Sequence, residues 1–351
     1  MGAFTLRGKP AASPVLFAFQ PRIFPWRPHL AQALWRAEPT FRRVIRQCDA
    51  IMQPMLGWSV EQELCQPPEQ SHFHDRELLA TPTLMALTIA QLELWRARGL
   101  GPNAVMGLSA GEFLAAYAAG VLTLQDTLKL ICYLDHVLGT RRVALGAQVK
   151  AELDWEHSIQ LEQALNTACF ATVEWAPAQT VFAGETQAIE LLMTHLGKND
   201  ISYQRMQTQF ILHAQQGASS LQEWTDALRD LAPGPPQIPI YSALTGGLTC
   251  ETRFDAQHWW RVVFAPAYGA RTLRRALQAG YTHVLEVGLT SNPVYPTQEI
   301  ANAAGISVQI VPSLPSLLAK EMPFARPTTR TRLMNSLKRK LPPCLQRVMG
   351  V

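Results

Sequence analysis

Residues 107–111 read Gly-Leu-Ser-Ala-Gly. Glycine, any residue, serine, any residue, glycine is the spacing of a nucleophile elbow, where a serine sits on a tight turn between a strand and a helix. The chemistry asks for those residue types. Side chains beside the serine would collide with the adjoining backbone, so glycine flanks it and its Oγ stands exposed. The N–H of the following residue, Ala110, then points at the oxygen that turns negative when a carbonyl is attacked. The dipole of the following helix adds to the same field. The bland alternative is a tight turn of small residues.

A serine hydroxyl needs a base, and the chain has nine histidines. His213, in Phe-Ile-Leu-His-Ala at 210–214, stands where the chain re-enters a helical region after a run of short strands. His136 lies on the helix that follows the elbow, and His72 and His74 fall in a polar, solvated loop. Spacing alone does not choose between His213 and His136.

These groups need a scaffold. Val15–Phe19 reads as a buried strand, and Leu30, Leu34, Phe41, Ile45 and Met52 recur at helical spacing over 28–55. Leu78–Arg98 reads as a helix stopped by Gly99–Pro102, and Ala104–Met106 as the strand entering the elbow. Ala110–Ala119 is the helix leaving it. A second helix runs from Thr123, whose pairing with Asp126 fits a capping box, to about Leu138. From about 143 the texture changes to short strands at 147–153, 169–175 and 180–183, with helices at 156–166 and 186–196. Strand-helix-strand-strand-helix is a ferredoxin-like pattern. The expectation is an α/β protein. A large domain formed by 14–142 and 208–312 is interrupted by a small insertion at 143–207, and a basic, proline-containing tail occupies 313–351.

The 351 residues suffice for a substantial core, and a net charge of +4 does not suggest a nucleic-acid binder. Arg326, Arg330, Arg332, Lys338, Arg339, Lys340 and Arg347 concentrate basic charge in the tail, either as a carrier contact or as a solvated end. Six scattered cysteines without a CxxC pair argue against a disulfide framework or a metal site. No apolar run reaches the roughly 20 residues of a membrane span. A reduced, cytoplasmic, monomeric protein is the expectation.

Several stretches together resemble one family. Glu77–Pro82, Leu92–Arg96 and Ala104–Glu112, with Ala115-Ala116, Gly120–Leu124, Ile238–Ser242, Thr245-Gly246 and Val284–Gly288, are similar to malonyl-CoA:acyl-carrier-protein transacylases and polyketide synthase acyltransferase domains. The resemblance runs from about Val15 to Pro312. It implies a hydrolase-like α/β domain with a ferredoxin-like insertion, Ser109 as nucleophile and His213 as base. It also implies an oxyanion hole from the Gln20 and Ala110 backbones. No bound cofactor or metal is implied; the substrate is the phosphopantetheine thioester of an acyl carrier protein, or CoA.

The departures are as informative. Malonyl-type members carry an arginine 25 residues after the serine, which grips the substrate carboxylate; here that residue is Leu134. Burying a carboxylate without a partner costs several kcal/mol. The usual histidine before the serine is Leu108, and the motif ending at the base is the apolar Phe210-Ile-Leu212. Leu108, Leu134, Phe210 and Leu212 imply a greasy pocket and a neutral acyl group. By the family's register the backbone carbonyl of Val262 orients His213. The expected activity is trans-acting acyl transfer between thioesters. A hydrolase that clears stalled acyl chains from carrier proteins and a non-catalytic docking scaffold are the alternatives.

Overall fold

The structure is a computed structural model that describes residues 14–21, 28–67, 70, 77–140, 142–214, 218, 220–249, 253–288 and 294–319. Among these, one sheet takes β1 (Val15–Phe19), β2 (Ala104–Gly107), β7 (Ile240–Ser242), β8 (Gly247–Leu248), β9 (His283–Val287) and β10 (Gln309–Pro312) in the order β10-β9-β1-β2-β7-β8. All its pairings are parallel except the β7–β8 hairpin. The second sheet takes β3 (Ala147–Ala151), β4 (Cys169–Ala176), β5 (Gln179–Gly184) and β6 (Tyr203–Arg205) in the antiparallel order β4-β5-β3-β6.

The helices are α1 (Pro28–Ala37), α2 (Pro39–Leu56), α3 (Val60–Cys65), α4 (Glu77–Ala97), α5 (Gly111–Ala118), α6 (Leu124–Gly139), α7 (Trp155–Leu165), α8 (Thr186–Lys198), α9 (Leu221–Ala227), α10 (Ala256–Phe264), α11 (Gly269–Gln278), α12 (Thr297–Ala303) and α13 (Ser313–Leu318).

The strand pleat assigns the layers. Val15, Phe17, Phe19 and Val105 face a core shared with α2, α4, α5, α6 and α10. Leu16, Ala18, Ala104 and Met106 face the opposite layer, with Leu273 and Ala276 of α11 and with Val173 and Val181 of the second sheet. Both faces of β1 are therefore covered, which is why its run is apolar without alternation. Successive strands lead from β1 to β2 and β7 on one side, and the chain then returns to β9 on the other. A switch of this kind opens a crevice at the carboxyl ends of the strands. Gln20 follows β1 there, and Ser109 lies two residues past β2.

The second sheet has the ferredoxin-like order. It packs Val149 and Phe182 against Ile189 and Leu192 of α8, with Ile159 and Leu161 of α7 in the same core. Its fourth strand, β6, is an addition to the expected pattern; all three residues are exposed and carry no alternation to read. The expected helix over 28–55 is two helices. Glu38 is extended ahead of Pro39, which cannot continue α1 and opens α2 instead. The capping box at Thr123 is present: Thr123 Oγ1 accepts from the Asp126 N–H at 3.0 Å and donates to Asp126 Oδ2 at 2.8 Å.

The expected tail does not begin at 313. Residues 313–318 form α13, with Leu314 and Leu317 fully buried. Trp95 Nε1–H donates to Ser313 Oγ at 2.8 Å, and the Ser313 hydroxyl donates to Gln91 Oε1 at 2.7 Å. Pro315 reads as a breaker, yet it lies in the first turn, where proline is tolerated. The basic residues 326–347 lie outside the described residues, as do Arg141, His72 and His74.

Candidate active site

Ser109 has φ 57°, the left-handed region that non-glycine residues rarely occupy. The turn holds it there. The Gly111 N–H donates to the Leu108 carbonyl at 3.0 Å, Glu112 N–H to Ser109 at 2.8 Å and Phe113 N–H to Ala110 at 3.2 Å. The two glycines have separate reasons. A Cβ on Gly107 would lie 2.4 Å from the Glu112 nitrogen, and one on Gly111 would lie 2.6 Å from the Phe19 carbonyl oxygen. From Ala104 to Ala116 every residue is buried except Ser109, which is half-buried. A serine held strained, at the one opening in a buried run, at a helix start, is arranged as a nucleophile.

Glu112 anchors this turn to the neighbouring strand. Its Oε2 accepts from the Ser242 hydroxyl at 2.6 Å, and its Oε1 accepts from the Leu244 N–H at 3.0 Å. Burial pushes its carboxyl up to about 7, against the opposing pull of these hydrogen bonds. The native state therefore keeps a proton that the unfolded chain releases near 4.5. Stability from this source is fully present below 4.5 and is lost as pH rises through 7. Glu112→Gln should remove a pH-dependent loss on the order of 3 kcal/mol across that window. Denaturant midpoints measured on both sides of the window check this.

His213 also has φ 57° and is 6% exposed. Its backbone N–H donates to the Val263 carbonyl at 3.0 Å, and its Nδ1 lies 3.1 Å from the Ala265 carbonyl oxygen. A carbonyl only accepts, so Nδ1 carries the proton and Nε2 is the free base. The expected partner, Val262, is corrected to Ala265. Val262 is a buried member of α10, whereas Ala265 is the extended residue that ends it. Burial pulls the imidazole down to about 4, partly offset by the Ala265 bond. Below its ordinary 6.5 the ring thus stays neutral. Acylation should hold its rate to an acid midpoint near 4, where a solvated imidazole would lose it near 6.5. A pH–rate profile of the acylation step checks it.

Gln20 is buried beside the elbow. Its backbone, expected to help form the oxyanion hole with the Ala110 N–H, has its own N–H donating to the Val287 carbonyl at 3.2 Å, because β1 still pairs with β9 at that register. Its side chain reaches Glu286 Oε2 at 3.5 Å, and a Cβ on Gly288 would fall 1.8 Å from Gln20 Oε1. Glu286 is fully buried and accepts from the Val294 N–H at 2.6 Å and the Thr297 hydroxyl at 3.1 Å. Ala110 supplies the N–H immediately after the serine, at the start of α5.

The residues expected to line the pocket divide. Leu134 on α6 and Phe210 belong to one apolar cluster with Leu212 packed against it, and Phe113 of α5 and Val262 belong to the same cluster. Phe113 meets Trp259 edge-on at 5.6 Å, so the helix that follows Ser109 packs on the helix that leads to Ala265. Leu108 is corrected. The pleat turns it to the opposite layer, among Val173, Ala267 and Ala270, with its Cδ atoms 3.6–3.7 Å from the Cβ position of Gly269. His136 is exposed on α6 and stacks on Tyr133. Trp259 is core, stacked on Phe254, and Trp260 packs on Phe264.

The family model for the acyl transferase domain matches residues 27–315. The chain belongs to that family. Erythronolide synthase EryA2 of Saccharopolyspora erythraea is 29% identical over 282 residues, covering 78% of this chain and 8% of that protein. The spectinabilin polyketide synthase system protein NorC of Streptomyces orinoci is 26% identical over 285 residues, covering 81% of this chain and 12% of NorC. This chain therefore spans a small part of the curated relatives' length. Among solved structures, a loading acyltransferase from the avermectin modular polyketide synthase superposes with a TM-score of 0.77 at 25% identity, covering 87% of this chain and 99% of that one. The fold is shared also with a malonyl CoA-acyl carrier protein transacylase from Clostridium perfringens, at TM-score 0.75 and 16% identity over 93% of this chain and 100% of that one.

Two features of the site have roles that the sequence alone does not show. Ala265-Pro266 is a helix stop, since the residue before proline is driven out of the helical region. That stop signals freed last-turn carbonyls but not which one meets His213. Glu112 reads as an ordinary first-turn acid until the fold buries it. Among the described cysteines, Cys48, Cys132 and Cys169 are buried, and burial pushes each thiol up to about 12. None of these three competes with Ser109 as a thiolate.

Proposed function

We propose that this acyltransferase moves a non-carboxylated acyl group between thioesters, acting in trans on an acyl carrier protein or CoA. The observation that carries the reading is the surroundings of Leu134. It is 5% exposed in an apolar layer with Phe210 and Val262. Of the basic residues near it in sequence, two are described, and both are paired at the surface: Lys129 Nζ lies 3.7 Å from Asp230, and Arg142 Nη1 lies 3.0 Å from Glu223. Neither is placed to take up a buried carboxylate.

The chemistry is a two-step exchange through an acyl-enzyme. His213 Nε2 takes the Ser109 hydroxyl proton as Oγ attacks the thioester carbonyl. The developing oxyanion is met by the Ala110 N–H at the start of α5, with the Gln20 N–H as a second donor shared with Val287. The leaving thiolate takes the proton from His213, and Ser109 holds the acyl group as an ester. A second thiol then gives its proton to His213 and removes the acyl group by the reverse path. The Nδ1 bond to Ala265 keeps the ring in the tautomer that both steps need. Strain at both Ser109 and His213, each with positive φ, favours a catalytic pair over a docking scaffold that merely kept the fold.

The test is a chase. A butyryl-enzyme freed of excess thioester should hand its acyl group to the phosphopantetheine thiol of an added holo carrier protein faster than it decays alone. Decay to free butyrate at one rate, with or without carrier, would mean a hydrolase.

A further inference from the structure

Strand β4 departs from its own ladder twice. Its pairing with β5 slips between Ala171 and Val173, and again between Glu174 and Ala176. Such bulges bend a strand and re-aim its backbone groups. The groups re-aimed here meet the connection between α10 and α11. The Ala267 N–H donates to the Thr172 carbonyl at 2.9 Å, and the Glu174 N–H donates to the Ala267 carbonyl at 2.8 Å. The Glu174 side chain, 14% exposed, lies at the first turn of α11 with an oxygen 3.1 Å from Arg271 Nε. A carboxylate is favoured at that helix end. Trp155 of α7 closes on Tyr268 edge-on at 5.3 Å.

The segment 263–267 thus holds two things at once. Its Val263 and Ala265 carbonyls fix the backbone and ring of His213. Two residues on, Ala267 is clamped by the second sheet. Pro266, between them, has a fixed φ and adds stiffness. A displacement of β4 reaches the imidazole through three residues. The neighbouring Trp175 also stacks on Tyr295 at 6.2 Å, and the Tyr295 hydroxyl donates to the Phe19 carbonyl at 2.6 Å, one residue before Gln20.

We infer that the second sheet, through β4 and the Glu174–Arg271 pair, sets the position of His213, so that Glu174 and Arg271 are positioning residues for acylation. This rests on the reading of Ser109 as nucleophile and His213 as base. A base must stay within hydrogen-bond reach of the oxygen it deprotonates. A drift of about 1 Å costs on the order of 10²-fold in rate.

The experiment measures the rate of butyryl adduct formation by intact mass, using S-butyryl-N-acetylcysteamine and the full chain. Wild type, Glu174→Gln, Arg271→Ala and the double variant are compared across the acid limb. Rates are divided by the plateau adduct, which counts competent molecules, and melting curves check folding. Glu174→Gln should slow acylation by about 10–100-fold with half-saturation unchanged. Its acid midpoint should climb from about 4 toward 6.5 as the imidazole gains water. Arg271→Ala, which removes the more exposed partner, should move both readings the same way, and the double variant should be no worse than Glu174→Gln alone. A merely structural role lowers the melting temperature and the plateau, but leaves rate per competent molecule and midpoint in place; that result in both variants overturns the inference. If Glu174→Gln does not fold, Arg271→Ala decides. A wild type with no Ser109-dependent adduct overturns the nucleophile assignment and this inference with it.

Discussion

A malonyl thioester should acylate Ser109 at least about 100-fold more slowly than a butyryl thioester, on a cost of roughly 3 kcal/mol. The penalty is one of solvation. A carboxylate brought to Leu134 leaves water and enters the apolar cluster to which Phe210 and Val262 also belong. An unpaired buried charge costs several kcal/mol before any relaxation. Lys129 and Arg142 would first have to leave Asp230 and Glu223 and then cross from the surface. Exposed pairs of that kind are weak, so the main obstacle is reach. A butyryl chain brings only apolar surface to the same layer, and each buried methylene contributes about 0.8 kcal/mol. The check is competition between the two thioesters in one vessel, read as the ratio of the two adducts at early times. Comparable adducts would mean that a cation reaches the pocket by a route this structure does not show.

His213→Ala should lower the acylation rate by about 10²–10⁴-fold while leaving Ser109 in place. The expectation follows from the hydrogen bonds at the ring. Ala265 fixes Nδ1 as the protonated nitrogen, so all base strength resides on Nε2. The buried ring is also a group that weakens the fold in acid. Its native pKa of about 4 lies below the unfolded 6.5, so the unfolded chain takes the proton first as pH falls. Stability is lost as pH drops through 6.5 toward 4, and His213→Ala should remove that share of the acid sensitivity. Loss of activity together with a flatter acid-unfolding curve assigns the effect to this ring. Unchanged acylation would transfer the base role elsewhere.

Much of the architecture was legible because it follows from local pattern. Val15–Phe19 reads as a covered parallel strand because every residue is apolar, and Thr123 and Asp126 announce a helix start that the structure keeps. The elbow was legible for a steric reason: Gly107 and Gly111 leave no room for a Cβ. What local pattern does not carry is which layer a residue joins and which carbonyl lies opposite a donor. Leu108 is next to Ser109 in sequence, yet the pleat sends it to the other side of the sheet. Val262 and Ala265 lie three residues apart at the end of one helix, and only the extended backbone at Ala265 decides which meets His213. That Gln20 follows a strand is legible, but its bond to Val287 depends on the β1–β9 register, a long-range fact. Prolines misled the reading at the chain's far end, because Pro312 and Pro315 punctuate α13 without preventing it.

The most direct test of the account is the intact mass of wild type and Ser109→Ala after exposure to a butyryl thioester. The account predicts one added butyryl group on the wild type and none on Ser109→Ala, with the peptide at 107–111 carrying the label. An equal adduct on both proteins, or none on a folded wild type, would contradict it.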